Sequence, residues 1–253
     1  MVSIEQLTRD LDTAVKRGQI EAVFQPQFDL HSGAVVAVET LARWDHDELG
    51  AVPPNDFIPL AENAHLIHRL GRLMIDQALY CLVGLRELGL SIEVSVNVSA
   101  IQLETLEFYD LLERDLTQHS LAEGDLIIEI TESLPILEVP SIVTRLEDLK
   151  RRGLGIAIDD YGSGHSSLRQ LDRVPATELK LDQSLVRDPS TEVIELIRAV
   201  IELAHFRGIR VVAEGIETHE QLGRMKELGC DRAQGFLLAM PLRRDELETL
   251  LRG

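Results

Sequence analysis

Across 253 residues, 43 acidic side chains stand against 25 basic ones, and the formal charge of -18 opposes long-range encounter with a nucleic-acid polymer. The apolar fraction of 45% is ordinary for a globular core, and no Pro/Gly/Ser-rich linker divides the chain, so a single domain over residues 1–253 is expected. Cys81 and Cys230 form neither a CxxC pair nor a disulfide framework, and no stretch approaches the ~20 apolar residues of a membrane span, so a soluble protein of a reducing cytoplasm is expected.

Residues 1–20 read as a leading amphipathic helix without the apolar core of a signal peptide. Residues 21–29 and 34–41 are strand-like and are separated only by Leu30-His31-Ser32-Gly33, too short a link for a crossover. They must form an antiparallel hairpin. Pro53-Pro54-Asn55-Asp56 then opens a long helical region, read as two helices that cap one end or side of the sheet and stop before Gly89.

From there strands alternate with helices. Strands are expected over 92–97, 126–130, 154–159, up to Lys180, over 209–213 and over 230–237. Helices are expected over 103–119, over 136–152 with Gly153 as its stop, after Ser166, over 191–206, from the capping box Thr218-His219-Glu220-Gln221 to Gly229, and from Arg243 onward. Eight strands close a barrel, so the fold class is α/β, a modified (β/α)8 TIM-type barrel over residues 21–251 with its first strand antiparallel to the rest.

The apolar runs end in Glu39, Asn97, Glu129, Asp159 with Asp160, Lys180, Glu214 and Gln234. A parallel barrel gathers its strand ends into one mouth, so five carboxylates, two carboxamides and one ammonium converge. Hard oxygen donors without His or thiolate select Mg²⁺ or Mn²⁺. Asp159-Asp160 is the strongest local signal, because adjacent carboxylates repel by up to ~4 kcal/mol at 4 Å and an effective dielectric of 20. The bland alternative sends one of them to solvent, since strand neighbours point to opposite faces. Lys180, turned inward within ELKLD, needs carboxylates or a phosphate, and its bland reading is an ion pair with Asp159 or Glu214. Glu214 could bind a metal, accept a proton or simply charge a helix N-terminus, and Gln234 could hydrogen-bond a water. Arg43 suits a phosphate, whereas Trp44 suits packing in the rim.

In order, FQPQFDL, ETLARW, VNVSAIQL, EITES, DDYGSGHSSL, ELKLD, AEGIET and QGFLLAMPL make the chain similar to the EAL domain family of cyclic di-GMP phosphodiesterases over about residues 21–251. The resemblance implies a barrel with one reversed strand and hydrolysis of cyclic di-GMP to linear pGpG with two Mg²⁺ or Mn²⁺ ions. It implies Glu39, Asn97, Glu129 and Asp159 as ligands of one metal, with Asp160 and Asp159 serving the second. Glu214 becomes a ligand or general base, Lys180 the holder of the attacking water, and Glu132 the stabiliser of the loop after Asp160. Gln25, Leu41, Arg43, Glu217, Gln234 and Pro241 become substrate contacts, and a homodimer a possible assembly. The chain departs from the family pattern at Thr40, at His165 and in FLLAMPL, none of which is a metal ligand. Two rivals stand beside this reading: a silent cyclic di-GMP receptor, and another metal-dependent barrel enzyme that stabilises an enolate.

Overall fold

The computed structural model describes residues 4–131, 139–163 and 173–252. Helix α1 (Ile4–Arg17) turns Leu11, Ala14 and Val15 inward at helical spacing, with Glu5 in its first turn and Lys16 and Arg17 in its last, the order its dipole favours. Strands β1 (Ile20–Asp29) and β2 (Val35–His46) pair antiparallel with Gln25 opposite Glu39. Asp29 Oδ1 closes the turn by accepting from the Ser32 and His31 backbone N–H groups at 2.6 and 3.2 Å, with Gly33 at φ 75°.

β2 runs five residues beyond the strand expected to end at Leu41, and its extension pairs antiparallel with a short β3 (Gly50–Val52). The described sheet therefore has nine strands rather than eight. β3 pairs only with the end of β2, outside the ring, because the chain must fold back at Gly50 before α2 (Pro54–Asn63) can begin. Trp44 is buried there against Phe57 in an edge-to-face contact with centroids 5.8 Å apart, which is the packing role.

The ring continues through β4 (Glu93–Asn97), β5 (Leu126–Thr131), β6 (Gly155–Tyr161), β7 (Glu178–Leu181), β8 (Arg210–Ala213) and β9 (Arg232–Ala233). Neighbours are parallel from β2 through β9, and β9 returns antiparallel to β1, closing an eight-membered barrel with its first strand reversed. Helix α3 (Ile67–Glu87) is the long cover. The single helix expected over 103–119 is two pieces, α4 (Ala100–Leu103) and α5 (Leu106–Gln118). The last strand covers two residues rather than 230–237. The chain turns away at the rim, where the Gly235 carbonyl accepts from the Leu238 and Ala239 backbone N–H groups at 3.0 and 3.1 Å and a Cβ on Gly235 would lie 2.2 Å from the Ile216 backbone oxygen. Helix α6 (Pro140–Arg151) ends at Gly153 with φ 102°, and the helix His219–Leu228 opens with the Thr218/Gln221 capping box and ends at Gly229 with φ 93°. Expected structure around Glu132, His165 and Ser166 lies outside the described residues.

Alternation sorts the strands into two faces. Val94, Val96, Ile128, Ile156, Ile158, Leu179, Leu181 and Val211 join the helices in the main apolar cluster. The opposite set fills the lumen in layers. At the end where the parallel strands begin, Glu93 and Glu178 meet Arg210 and Arg232: Arg232 forks Glu93 at 2.7 and 3.0 Å, and Arg210 forks it at 2.9 Å. Ala37, Ser95, Ile127, Ala157 and Val212 form the middle, all buried. The strand C-terminal ends carry the site.

Candidate active site

Lys180 is the hub. It is 1% exposed, and its Nζ lies 2.6 Å from Glu129 Oε2, 2.7 Å from Glu214 Oε1, 3.1 Å from Asp159 Oδ1 and 3.4 Å from Glu39 Oε2. These carboxylates come from β5, the end of β8, β6 and β2, so barrel closure brings them together. Glu39 is also held by carboxamides: Asn97 Nδ2 donates to Oε1 at 2.9 Å and Gln234 Nε2 to Oε2 at 2.6 Å. Gln234 Nε2 also reaches Gln25 Oε1 at 3.1 Å, across the reversed strand.

Asp159 and Asp160 do not diverge as a regular strand requires. The β6–β7 register shifts between Ile158 and Tyr161, and Asp160 takes φ 56°, a left-handed conformation that Asp adopts more readily than most side chains. The irregularity turns both carboxylates toward one side, where Asp159, Asp160 and Glu214 present oxygens within 4.8 Å of one another. Tyr161 resumes a buried outward position.

The charges are unequal, and the pKa values follow. Burial pushes Glu129 well above the usual carboxylate range, and neighbouring Glu39 adds to the rise. Burial likewise raises Glu214, against the pull of Lys180. Glu39 is as enclosed, yet Lys180, Gln234 and Asn97 hold it low. Burial and then Asp159 lift Asp160 to about 6. Burial alone would lower Lys180, but its carboxylates hold it well above the usual lysine value.

This donor set fits divalent metal. Every ligand atom is a hard oxygen, the carboxylates outnumber the enclosed ammonium, and Glu129 Oε1 is buried without a hydrogen-bond partner. Metal charge at Asp159, Asp160 and Glu214 would relieve the repulsion that burial imposes.

Two cavities flank the carboxylates. One of about 300 Å³ is lined by Gln25, Glu39, Asp159, Asp160, Lys180, Glu214, Glu217 and Gln234. Asp182, Gln183 and Phe236 line it too, although the sequence reading gave them no role; the last residue of ELKLD and the aromatic of QGF were the available signals. The second, about 360 Å³, adjoins it at Asp159 and Asp160 and runs under α3, lined by Leu41, Asn97, Thr40 and apolar residues such as Ile58 and Met74. Arg43 and Pro241 line neither cavity. The Arg43 guanidinium folds back to donate to the Ala42 carbonyl at 2.8 Å. Glu132 lies outside the described residues.

The family profile of the EAL domain matches residues 8–241. The chain belongs to the EAL domain family. It is 35% identical over 251 residues to the bifunctional diguanylate cyclase/cyclic di-GMP phosphodiesterase MucR of Pseudomonas aeruginosa, covering 96% of this chain and 36% of MucR. The cyclic di-GMP phosphodiesterase RocR of the same organism is 36% identical, over 95% of this chain and 61% of its own length. This EAL chain thus spans about a third to three fifths of those relatives. A solved MucR phosphodiesterase in complex with cyclic di-GMP superposes with a TM-score of 0.89 at 35% identity, covering 96% of this chain and 99% of that one. Its barrel is therefore that of known EAL structures.

Proposed function

We propose that this chain hydrolyses cyclic di-GMP to linear 5′-pGpG with two Mg²⁺ or Mn²⁺ ions, lowering the concentration of a bacterial second messenger. The observation that carries the proposal is the Lys180 hub in an EAL barrel, with Asp159, Asp160 and Glu214 presenting oxygens within 4.8 Å of one another at that hub's edge. When bound, the ions would supply positive charge to the scissile phosphate and acidify a water.

The remaining work falls to the chain. Glu39, Asn97, Glu129 and Asp159 would hold one ion, and Asp159 and Asp160 would hold the second, with Glu214 beside them. Carboxylates now turned to Lys180 would turn to the cations, freeing ammonium N–H groups to orient the attacking water. Glu214, beside the ligand carboxylates and 2.7 Å from Lys180 Nζ, takes the role of proton acceptor. Water attacks phosphorus in line, the bond to the 3′-oxygen breaks, and that oxygen leaves with a proton as the 3′-hydroxyl of pGpG. Gln25, Leu41, Glu217 and Gln234 line the cavities on either side of the carboxylates and would meet the dinucleotide. Arg43 would have to unfold from Ala42 to reach a phosphate, and Pro241, outside both cavities, would meet the dinucleotide only where it extends beyond them.

The protein is proposed to act in the cytoplasm as one domain over residues 1–253, with a homodimer as a possible assembly. Among the described residues no helix is long and apolar enough to cross a membrane. The test is incubation with cyclic di-GMP and Mg²⁺, chromatography of the product, and a Glu39→Ala control. Turnover by the wild type that disappears in the control supports the proposal; tight binding without product would replace it with the receptor reading.

A further inference from the structure

We infer that Arg187, which does not line the cavity, is a positioning residue that sets the Glu217 carboxylate to read a guanine base; the inference rests on the cyclic di-GMP reading. The short helix Gln183–Arg187 and the loop after Glu214 meet at two points. At the near one, Gly215 has φ 63°, and a Cβ built on it would lie 2.4 Å from Gln183 Cβ, so the two segments are in direct contact beside the mouth. At the far one, Arg187 Nη2 donates to Glu217 Oε1 at 2.6 Å. The Glu217 backbone is fixed separately, its N–H donating to Gln221 Oε1 at 2.8 Å. Only the side-chain torsions of Glu217 remain, and Arg187 holds them.

The pair is half exposed, at 48% and 45% for the two side chains, so its contribution to stability is small. Its placement matters more. Glu217 lines the cavity alongside Asp159, Asp160, Asp182 and Glu214, where another uncompensated carboxylate would repel an anionic dinucleotide. With one oxygen engaged by Arg187, the other can accept from the N1–H and 2-amino donors of guanine, a pairing that neither adenine nor hypoxanthine offers in full.

The test compares wild type, R187A, R187K and the charge swap R187E/E217R on cyclic di-GMP and on cyclic di-IMP, whose bases lack the 2-amino group, with Mn²⁺ affinity measured in parallel. The expected result for R187A is a KM about tenfold higher for cyclic di-GMP, with kcat and Mn²⁺ affinity within twofold of wild type and a much smaller KM change for cyclic di-IMP. R187K should recover part of the loss, and the charge swap none, because it restores an ion pair without the reading carboxylate. An R187A KM within twofold of wild type, a weakened Mn²⁺ site, or full rescue by the swap would each overturn the inference while leaving the phosphodiesterase reading intact. Failure of the wild type to turn over cyclic di-GMP would overturn both.

Discussion

Asp160→Asn separates the cost of the site from its use. Asn tolerates the left-handed backbone at φ 56° about as well as Asp, so the substitution removes charge without adding strain. In wild type the Asp160 carboxyl rises from an ordinary 3.8 to about 6, so between those values the folded state holds a proton the unfolded chain has shed. Stability in chelator therefore falls as pH rises through that window, and the loss is complete above about 6. At full weight the shift corresponds to about 3 kcal/mol; partial solvent exposure reduces it to about 1 kcal/mol. For a chain of this size that is about 2–4 °C in Tm. D160N should melt higher than wild type by that amount in EDTA at pH 8 and show no advantage below pH 4. Mg²⁺ at a hundred times its dissociation constant should stabilise wild type by about 2.7 kcal/mol and D160N by much less. Equal melting of the two proteins in EDTA at both pH values, or an undiminished Mg²⁺ shift in D160N, would refute the account of Asp160 as a charge held against its own burial for a cation.

Three further outcomes are expected. Lys180→Met strips the buried carboxylates of their cation and should cost about 3–5 kcal/mol by urea titration in chelator, with part recovered at low pH where they protonate. Glu93→Gln should cost about 3 kcal/mol while leaving Mn²⁺ affinity unchanged, since Glu93 sits at the other end of the lumen. Burial would raise the Glu93 carboxyl, but Arg232 and Arg210 hold it below its ordinary 4.5; its contribution is present above that pH and lost as pH falls through the lower folded value, so wild type and variant should converge in acid. Thr40→Val should raise stability by about 1 kcal/mol by differential scanning calorimetry, because Thr40 Oγ1 is buried without a partner.

The barrel was legible because its signals are periodic. Apolar runs ended in polar residues, the link Leu30-His31-Ser32-Gly33 was too short to cross over, and Thr218 and Gly229 bracketed a helix with ordinary cap chemistry. What escaped was local departure from periodicity. Alternation sends Asp159 and Asp160 to opposite faces, and only the shifted register with a positive φ brings them together. FLLAMPL continues the apolar run after Gln234, yet the strand stops at Ala233 and the chain turns at Gly235. For Lys180, an ion pair with Asp159 or Glu214 and a place among site carboxylates read from sequence as alternatives, and in three dimensions both hold.

The two ends of the lumen show why one end holds the fold and the other is left in tension. Where the parallel strands begin, two acids face two arginines, Glu93 forked by both and Glu178 within 3.3 Å of each, and the opposite charges are equal in number. Where they end, Glu39, Glu129, Asp159 and Glu214 pair with the buried Lys180, and Asp160 stands beside Asp159 and Glu214 as a fifth carboxylate. If all five were ionised, four negative charges would remain, the number two divalent ions neutralise. Without metal the imbalance is met by protons instead, which is the common meaning of the raised Glu129, Glu214 and Asp160 carboxyls. Metal binding must then displace those protons, so apparent affinity should weaken as pH falls, and Mn²⁺ added to chelator-stripped protein in weak buffer should acidify the solution. No acidification, with the metal demonstrably bound, would mean that the carboxylates were already ionised and that Lys180 alone had balanced them.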